Sequence, residues 1–287
     1  MPDLISASLR LLIEPLTFPF MQRALLATLI VAVACAVVGA FVVSKGLAFI
    51  GDALAHASFA GIALALLLRR SIYLGAAAAA VVMSLAITLV SRRGRVSADT
   101  ASGVLFAGAF SLGIVLISPA RNYTVDLFAY VFGNVLGIGN EDLVVIAGTG
   151  LVVVLTVALL YRELVFVAFD PVMAEAEGIP VGLLQSLLLG LIGLTVMAAV
   201  KALGIVLVVA MLVTPAATAS MLTHRFHGIM LLGAALAAIA SVVGLYVAFY
   251  ANVASGASTV LVSTLLFLAV LLVPAGRSAG PELPLVR

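Results

Sequence analysis

An acid and an imidazole stand four residues apart in the stretch Lys45-Gly46-Leu47-Ala48-Phe49-Ile50-Gly51-Asp52-Ala53-Leu54-Ala55-His56-Ala57-Ser58. On a helix, turning about 100° per residue, Asp52 and His56 lie about 40° apart on one face. A carboxylate and a neutral imidazole are suitable ligands for zinc, manganese or iron. Two ligands on one chain bind weakly, which suits a site that must release its ion. An aspartate near the centre of a lipid-crossing helix costs roughly 2.5 to 3.5 kcal/mol, and such residues face a bundle interior or an aqueous path. The same spacing also suits a plain Asp52–His56 hydrogen bond, or Asp52 capping a helix break beside Gly51. The residues alone leave these readings open.

A second candidate is Ala168-Phe169-Asp170-Pro171-Val172-Met173-Ala174-Glu175-Ala176-Glu177-Gly178-Ile179-Pro180. Asp170 can cap a helix, Pro171 fits its first turn and Gly178 suits its end, which predicts a short helix in a loop. It is either an ordinary loop helix or a docking element for another protein. The run Leu203 to Ala219 contains Pro215, which removes an intrahelical bond and predicts a kink near Thr214. His224 and His227 are spaced for a metal but fit a solvated loop better. The single cysteine, Cys35, lies in an apolar run, so the chain can form neither an intrachain disulfide nor a cysteine-rich zinc site. No Gly-x-x-x-x-Gly-Lys-Ser/Thr phosphate loop is present, so any ATP that drives this protein is bound by another polypeptide.

The elements that must carry these groups are set by composition. Of 287 residues, 65% are hydrophobic and 9% charged, too few charges for a water-facing surface. A net charge of +2 is too small to suggest nucleic acid. Apolar runs long enough to cross a bilayer fall at about 21–44, 47–68, 72–90, 100–118, 142–161, 183–200, 203–222, 228–250 and 257–274. The fold class is therefore all-α, a polytopic membrane protein with eight or nine transmembrane helices. Lys201 barely separates two of the runs, and Asn122 to Asn140 could form a re-entrant or interfacial helix. The first run is too long for a signal-peptide core and is read as a retained helix.

Residues 1–20 read as an interfacial segment, 21–275 as one transmembrane domain with the loop helix near 169–180, and 276–287 as a cytoplasmic tail. Basic residues are retained inside. Placing Arg92, Arg93 and Arg95 there puts Lys45, Arg162, Arg225 and Arg277 inside, and Arg69, Arg70, Arg121 and Lys201 outside. Glycine and alanine recur in the spans, as in Gly75 to Ala80, where small side chains let helix backbones approach closely.

Four stretches in this order resemble the permease subunit of bacterial zinc/manganese/iron ABC importers. They are Gly51-Asp52-Ala53-Leu54-Ala55-His56-Ala57; Leu127 to Leu143 with its Val131-Phe132-Gly133-Asn134-Val135-Leu136 core and Glu141-Asp142-Leu143; Phe169-Asp170-Pro171 to Gly178-Ile179; and Val208 to Ala219. The resemblance covers roughly residues 20–275. It implies a homodimer in the bacterial inner membrane with two separate ATPase subunits, fed by a solute-binding protein. It implies that Asp52 and His56 are ligands on the translocation path. It also implies that the segment carrying Asp170, Pro171, Glu175 and Gly178 is the coupling helix that meets the ATPase. The chain itself would bind no cofactor and would be no enzyme; ATP would be hydrolysed by the partner, and the transported ion would be Zn2+ or Mn2+, with a slight lean to zinc.

An ion-coupled secondary carrier is the rival within transport, and an intramembrane metalloenzyme the rival outside it. Catalytic zinc usually takes three protein ligands, and no third is evident. In a two-fold dimer the second spans could bring both Asp52–His56 pairs to a common axis, with cross-links at Ala55 or Phe59 expected between copies.

Overall fold

The computed structural model describes residues 13–92, 96–118 and 133–272. All the regular structure among them is helical: α1 Pro19–Ser44, α2 Ala48–Leu67, α3 Ile72–Arg92, α4 Ala98–Ile117, α5 Asn140–Leu159, α6 Tyr161–Phe169, α7 Pro171–Ala176, α8 Val181–Leu203, α9 Ile205–Leu222, α10 Phe226–Ala251 and α11 Ser255–Leu272. Eight of these are long and apolar enough to cross a membrane, and α9 is a slightly shorter apolar ninth. A backbone in lipid must satisfy its polar groups internally, which is why each apolar run becomes a helix. Buried hydroxyls follow the same rule: Ser58, Ser84, Thr195 and Thr259 donate to the carbonyls of Leu54, Ala80, Leu191 and Ser255 at 2.8–2.9 Å.

Helices α1, α2 and α8 form the interior, and α3, α4, α5 and α11 form the rim, with far less of their surface covered. Small residues bring the interior helices together. A Cβ on Gly39 of α1 would stand 2.1 Å from the Leu212 carbonyl oxygen of α9, and one on Gly61 of α2 would stand 2.1 Å from that of Gly75 in α3. Such contacts replace hydrophobic association, which lipid does not supply. Cys35 is fully buried among them.

Several local expectations shift. The interruption between the two runs near Lys201 falls at Gly204, whose φ of 84° and ψ of 161° end α8 and start α9. Helix α9 runs through Pro215 as one continuous helix. Lys201 is thus not a loop residue but part of the last turn of α8. Pro19, read as part of an interfacial approach, is the first residue of α1, preceded by the short 3-10 turn Glu14–Thr17. The loop expected to hold one short helix holds two, α6 and α7. The first part of the family-like stretch, 127–132, together with Arg93, Arg95, Arg121, Asn122 and Arg277, lies outside the described residues, as do the tail 276–287 and most of the N-terminal segment.

Candidate metal path and coupling surface

Helix α2 is mostly buried, yet one stripe along it stays open. Phe49, Leu64 and Leu67 are exposed on it, and Asp52, His56 and Ala60 are partly exposed. At about 100° per residue these six positions fall within one third of the helix circumference. Asp52 and His56 therefore lie on the least covered side of α2 among the described residues, the side that α4 borders. Their side chains are 30% and 14% exposed, so the carboxylate is the more open of the two.

The imidazole is held from two directions. Its Nδ1 lies 3.0 Å from the Asp52 backbone oxygen and 3.3 Å from Asp52 Oδ1. The rings of Phe106 and Phe110 on α4 meet it edge-on, with centroids 4.6 and 5.2 Å away. These two rings lie parallel to one another and one helical turn apart, which fixes the tilt of the imidazole between them. With Nδ1 donating to Asp52, the neutral ring carries its lone pair on Nε2. That tautomer leaves Nε2 open on the side of the ring away from Asp52. One ion could meet both residues only after the imidazole swings off its contact with Asp52, so the contact seen here and a shared metal site are alternative arrangements of the pair. Among the described residues no group of three or more His, Cys, Asp or Glu side chains converges. His224 and His227 are exposed at the start of α10.

The aromatic wall was not legible in the sequence, since α4 follows α2 only after another complete helix. Beside the pair, a cavity of about 940 Å³ runs between α2, α3 and α4. Ala57, next to His56, lines one part of it and Arg70, just beyond α2, another.

At the end of the bundle where α2 begins, α7 forms as its sequence dictates. The Asp170 carboxylate accepts from the Met173 N–H at 2.9 Å, Pro171 fills the first turn, and Gly178 leaves the helix at φ 82°. Ala174 alone in this helix is buried. Phe169, Val172 and Met173 are exposed, Val172 by 78%, and Glu175 and Glu177 are exposed beside them. Lys45, in the turn between α1 and α2, donates to the Val167 carbonyl of α6 at 3.4 Å. Burial holds this ammonium below the usual lysine value.

A second polar cluster, not singled out in the sequence, lies at the opposite end. Lys201 of α8 pairs with Asp142 of α5, and Tyr73 of α3 donates to Asp142 Oδ1 at 2.7 Å. The Gly139 N–H donates to Asp142 Oδ2 at 2.9 Å.

The chain is thus a multi-pass helical membrane protein with an Asp–His pair on one of its interior helices. The profile of the ABC 3 transport family matches residues 17–274, and the chain belongs to that family. It is 45% identical over 252 residues to a manganese transport system membrane protein, MntC, of Halalkalibacterium halodurans, covering 88% of this chain and 86% of that one. It is 38% identical over 251 residues to the manganese import system permease protein ScaB of Streptococcus gordonii, covering 88% and 90%. Its fold matches a chain of the solved structure of PsaBC from Streptococcus pneumoniae in complex with Fab, with a TM-score of 0.84 and 33% identity, over 91% of this chain and 95% of that one.

Proposed function

We propose that this chain is the membrane-spanning permease subunit of an ABC importer that carries manganese into a bacterial cell. The observation that carries this reading is the Asp52–His56 pair on the open stripe of α2, in a chain whose relatives are named as manganese permeases. The relatives' names favour manganese over zinc, to which the resemblance leaned slightly. A pair offering carboxylate oxygens beside one imidazole suits a hard ion at least as well as a soft one.

In this reading Asp52 and His56 ligate the ion in transit. A separate ATPase subunit docks on α7, against Phe169, Val172 and Met173, with Asp170, Pro171, Glu175 and Gly178 shaping that helix. A solute-binding protein delivers the ion to the far side, and two permease copies assemble in the inner membrane. The end of the bundle bearing Lys45 and α7 is cytoplasmic, and the end bearing Lys201 is external.

The test is uptake of radioactive manganese and zinc by proteoliposomes holding the permease and its cognate ATPase. Asp52→Ala and His56→Ala are each expected to abolish or strongly reduce uptake while assembled protein persists. His56→Asp is expected to keep part of the manganese flux and lose more of the zinc, because oxygen donors suit manganese. Wild-type uptake by well-assembled Asp52→Ala would end the metal-path assignment.

A further inference from the structure

We propose that a cavity at the Lys45 end of the bundle binds the headgroup phosphodiester of an anionic phospholipid, taken from the leaflet on that side. The inference concerns a ligand that stays with the protein, and it holds for whichever ion is carried.

Helices α2 and α3, and α3 and α8, run antiparallel, shown by the contacts of Gly61 with Gly75 and of Gly193 with Ala80 and by the Ser84 hydroxyl reaching the Leu189 carbonyl. The start of α2, the end of α3 and the start of α8 therefore share one end of the bundle, and a cavity of about 210 Å³ opens between them. That volume is below the range for drug-sized ligands and suits a single headgroup. Its lining is graded by depth. Lys45 in the α1–α2 turn, Ser91 in the last turn of α3 and Gln185 in the second turn of α8 form a polar rim. About one helical turn deeper, the buried side chains of Ile50, Ile87 and Leu188 form an apolar floor.

The rim carries a positive charge that the chain leaves uncompensated. Lys45 is half-buried, and among the described residues no carboxylate pairs with it. Its ammonium has three N–H donors, and the Val167 carbonyl, 3.4 Å away, takes one. The Gln185 side-chain amide is exposed and has no partner among the described residues. The Ser91 hydroxyl makes a long bond of 3.2 Å to the Thr88 carbonyl, which a charged acceptor can displace. Ammonium, amide and hydroxyl are donors suited to the oxygens of a phosphodiester, and bonds with an ionised partner are the strong ones. Burying a cation without a counter-charge is costly. An anion supplied from outside the chain therefore gains more here than at a fully solvated lysine.

Position selects a lipid over a free anion. Leu85 and Leu89 of α3 are exposed on the face beside the cavity, and in a membrane span that face meets acyl chains. A phospholipid seated here has its phosphate on the rim, at the level of the helix ends, and its tails along α3. With Lys45 on the cytoplasmic side, the lipids come from the leaflet whose surface is negatively charged. Through Val167, Lys45 is also tied to α6, the helix that leads directly into α7. An occupied site thus steadies the base of the docking helix.

The test is native mass spectrometry of the detergent-solubilised permease–ATPase complex, offered phosphatidylglycerol, phosphatidylcholine or inorganic phosphate at equal concentrations. The wild type is expected to retain phosphatidylglycerol in preference to the other two. Lys45→Gln is expected to weaken that retention at least about fivefold, the effect of one basic residue at a charged membrane surface. Gln185→Glu, at an exposed position where folding tolerates the change, sets a carboxylate on the rim and is expected to weaken it at least as much. Wild-type retention of phosphatidylglycerol by folded Gln185→Glu would overturn the site. Equal retention of phosphatidylcholine, or retention of inorganic phosphate without lipid, would overturn the anionic-lipid assignment. Manganese uptake by the same complex is read separately: its absence in the wild type would end the permease reading and leave the lipid site standing.

Discussion

Substituting Gly61→Ala puts one methyl group where helices α2 and α3 touch through their backbones. The added Cβ would stand 2.1 Å from the Gly75 carbonyl oxygen and 2.6 Å from the Ala79 methyl, whereas ordinary contact begins at 3.4 Å. Since the nearest atom is backbone, no rotamer change relieves it, and the helices must part by about 1.3 Å. Overpacking of this kind costs about 1 to 3 kcal/mol, offset by no more than about 1 kcal/mol of helix propensity gained over glycine. The net loss should be about 1 kcal/mol in stability.

The functional loss should be larger, because α2 carries Asp52 and His56 and its shift alters the fit of the imidazole against the Phe106 and Phe110 rings. Misplacing a reacting group by about 1 Å can reduce a rate by up to about a hundredfold. Thermal unfolding in detergent, read beside manganese uptake in proteoliposomes, measures both effects. Two controls grade the result: Gly51→Ala meets only the flexible end of Leu212 at 3.0 Å, and Gly108→Ala on α4 meets nothing within 4 Å. Gly51→Ala should have a small effect and Gly108→Ala none. Wild-type stability and uptake in Gly61→Ala would refute the claim that this backbone contact sets the position of the pair.

Two further expectations concern the end of the bundle that bears Lys45 and α7. Val172→Glu with Met173→Glu should leave the permease folded, since both side chains are exposed, yet abolish ATPase binding in co-purification; retained binding would move the docking surface elsewhere. Lys45, held below the ordinary lysine value of 10.5 by burial, releases its proton more readily folded than unfolded. The unfolded state then binds more protons in the interval just below 10.5, so stability rises with pH there. Lys45→Met should remove that rise, and unfolding temperatures measured across the interval would show an unaltered slope if the assignment were wrong.

Much of the fold was legible because lipid leaves an apolar run few alternatives to a helix, so the spans from α1 to α11 followed from run length. The cap at Asp170 and the helix end at Gly178 were legible for a local reason, as each is decided by neighbours within one turn. The Asp52–His56 spacing likewise needed only helix geometry. What resisted reading depends on distant segments. Tyr73 and Asp142 are 69 positions apart and bonded, and no periodicity relates them. Lys201 read as an external loop charge because a lysine between two apolar runs gives no sign of a partner. The break between the two apolar runs lies at Gly204, one glycine among 25, and nothing nearby in the sequence marks it out from the others. Ala55 and Phe59, chosen as positions for cross-links between copies, are buried within the chain, Phe59 against Phe110. The open stripe of α2 runs instead through Phe49 and Leu64.

Helix α8 starts close behind α7 and finishes at the Lys201 turn. With 23 residues at 1.5 Å each it is a rod about 34 Å long. Buried side chains grip it from Leu188 through Leu203, so the half nearer Lys201 is held while the first turns, near Val181, are the more open. The pairing of Lys201 with Asp142 is therefore set by the register of the whole helix: inserting one residue into its middle would rotate Lys201 by about 100° away from Asp142 and push it about 1.5 Å further along the axis.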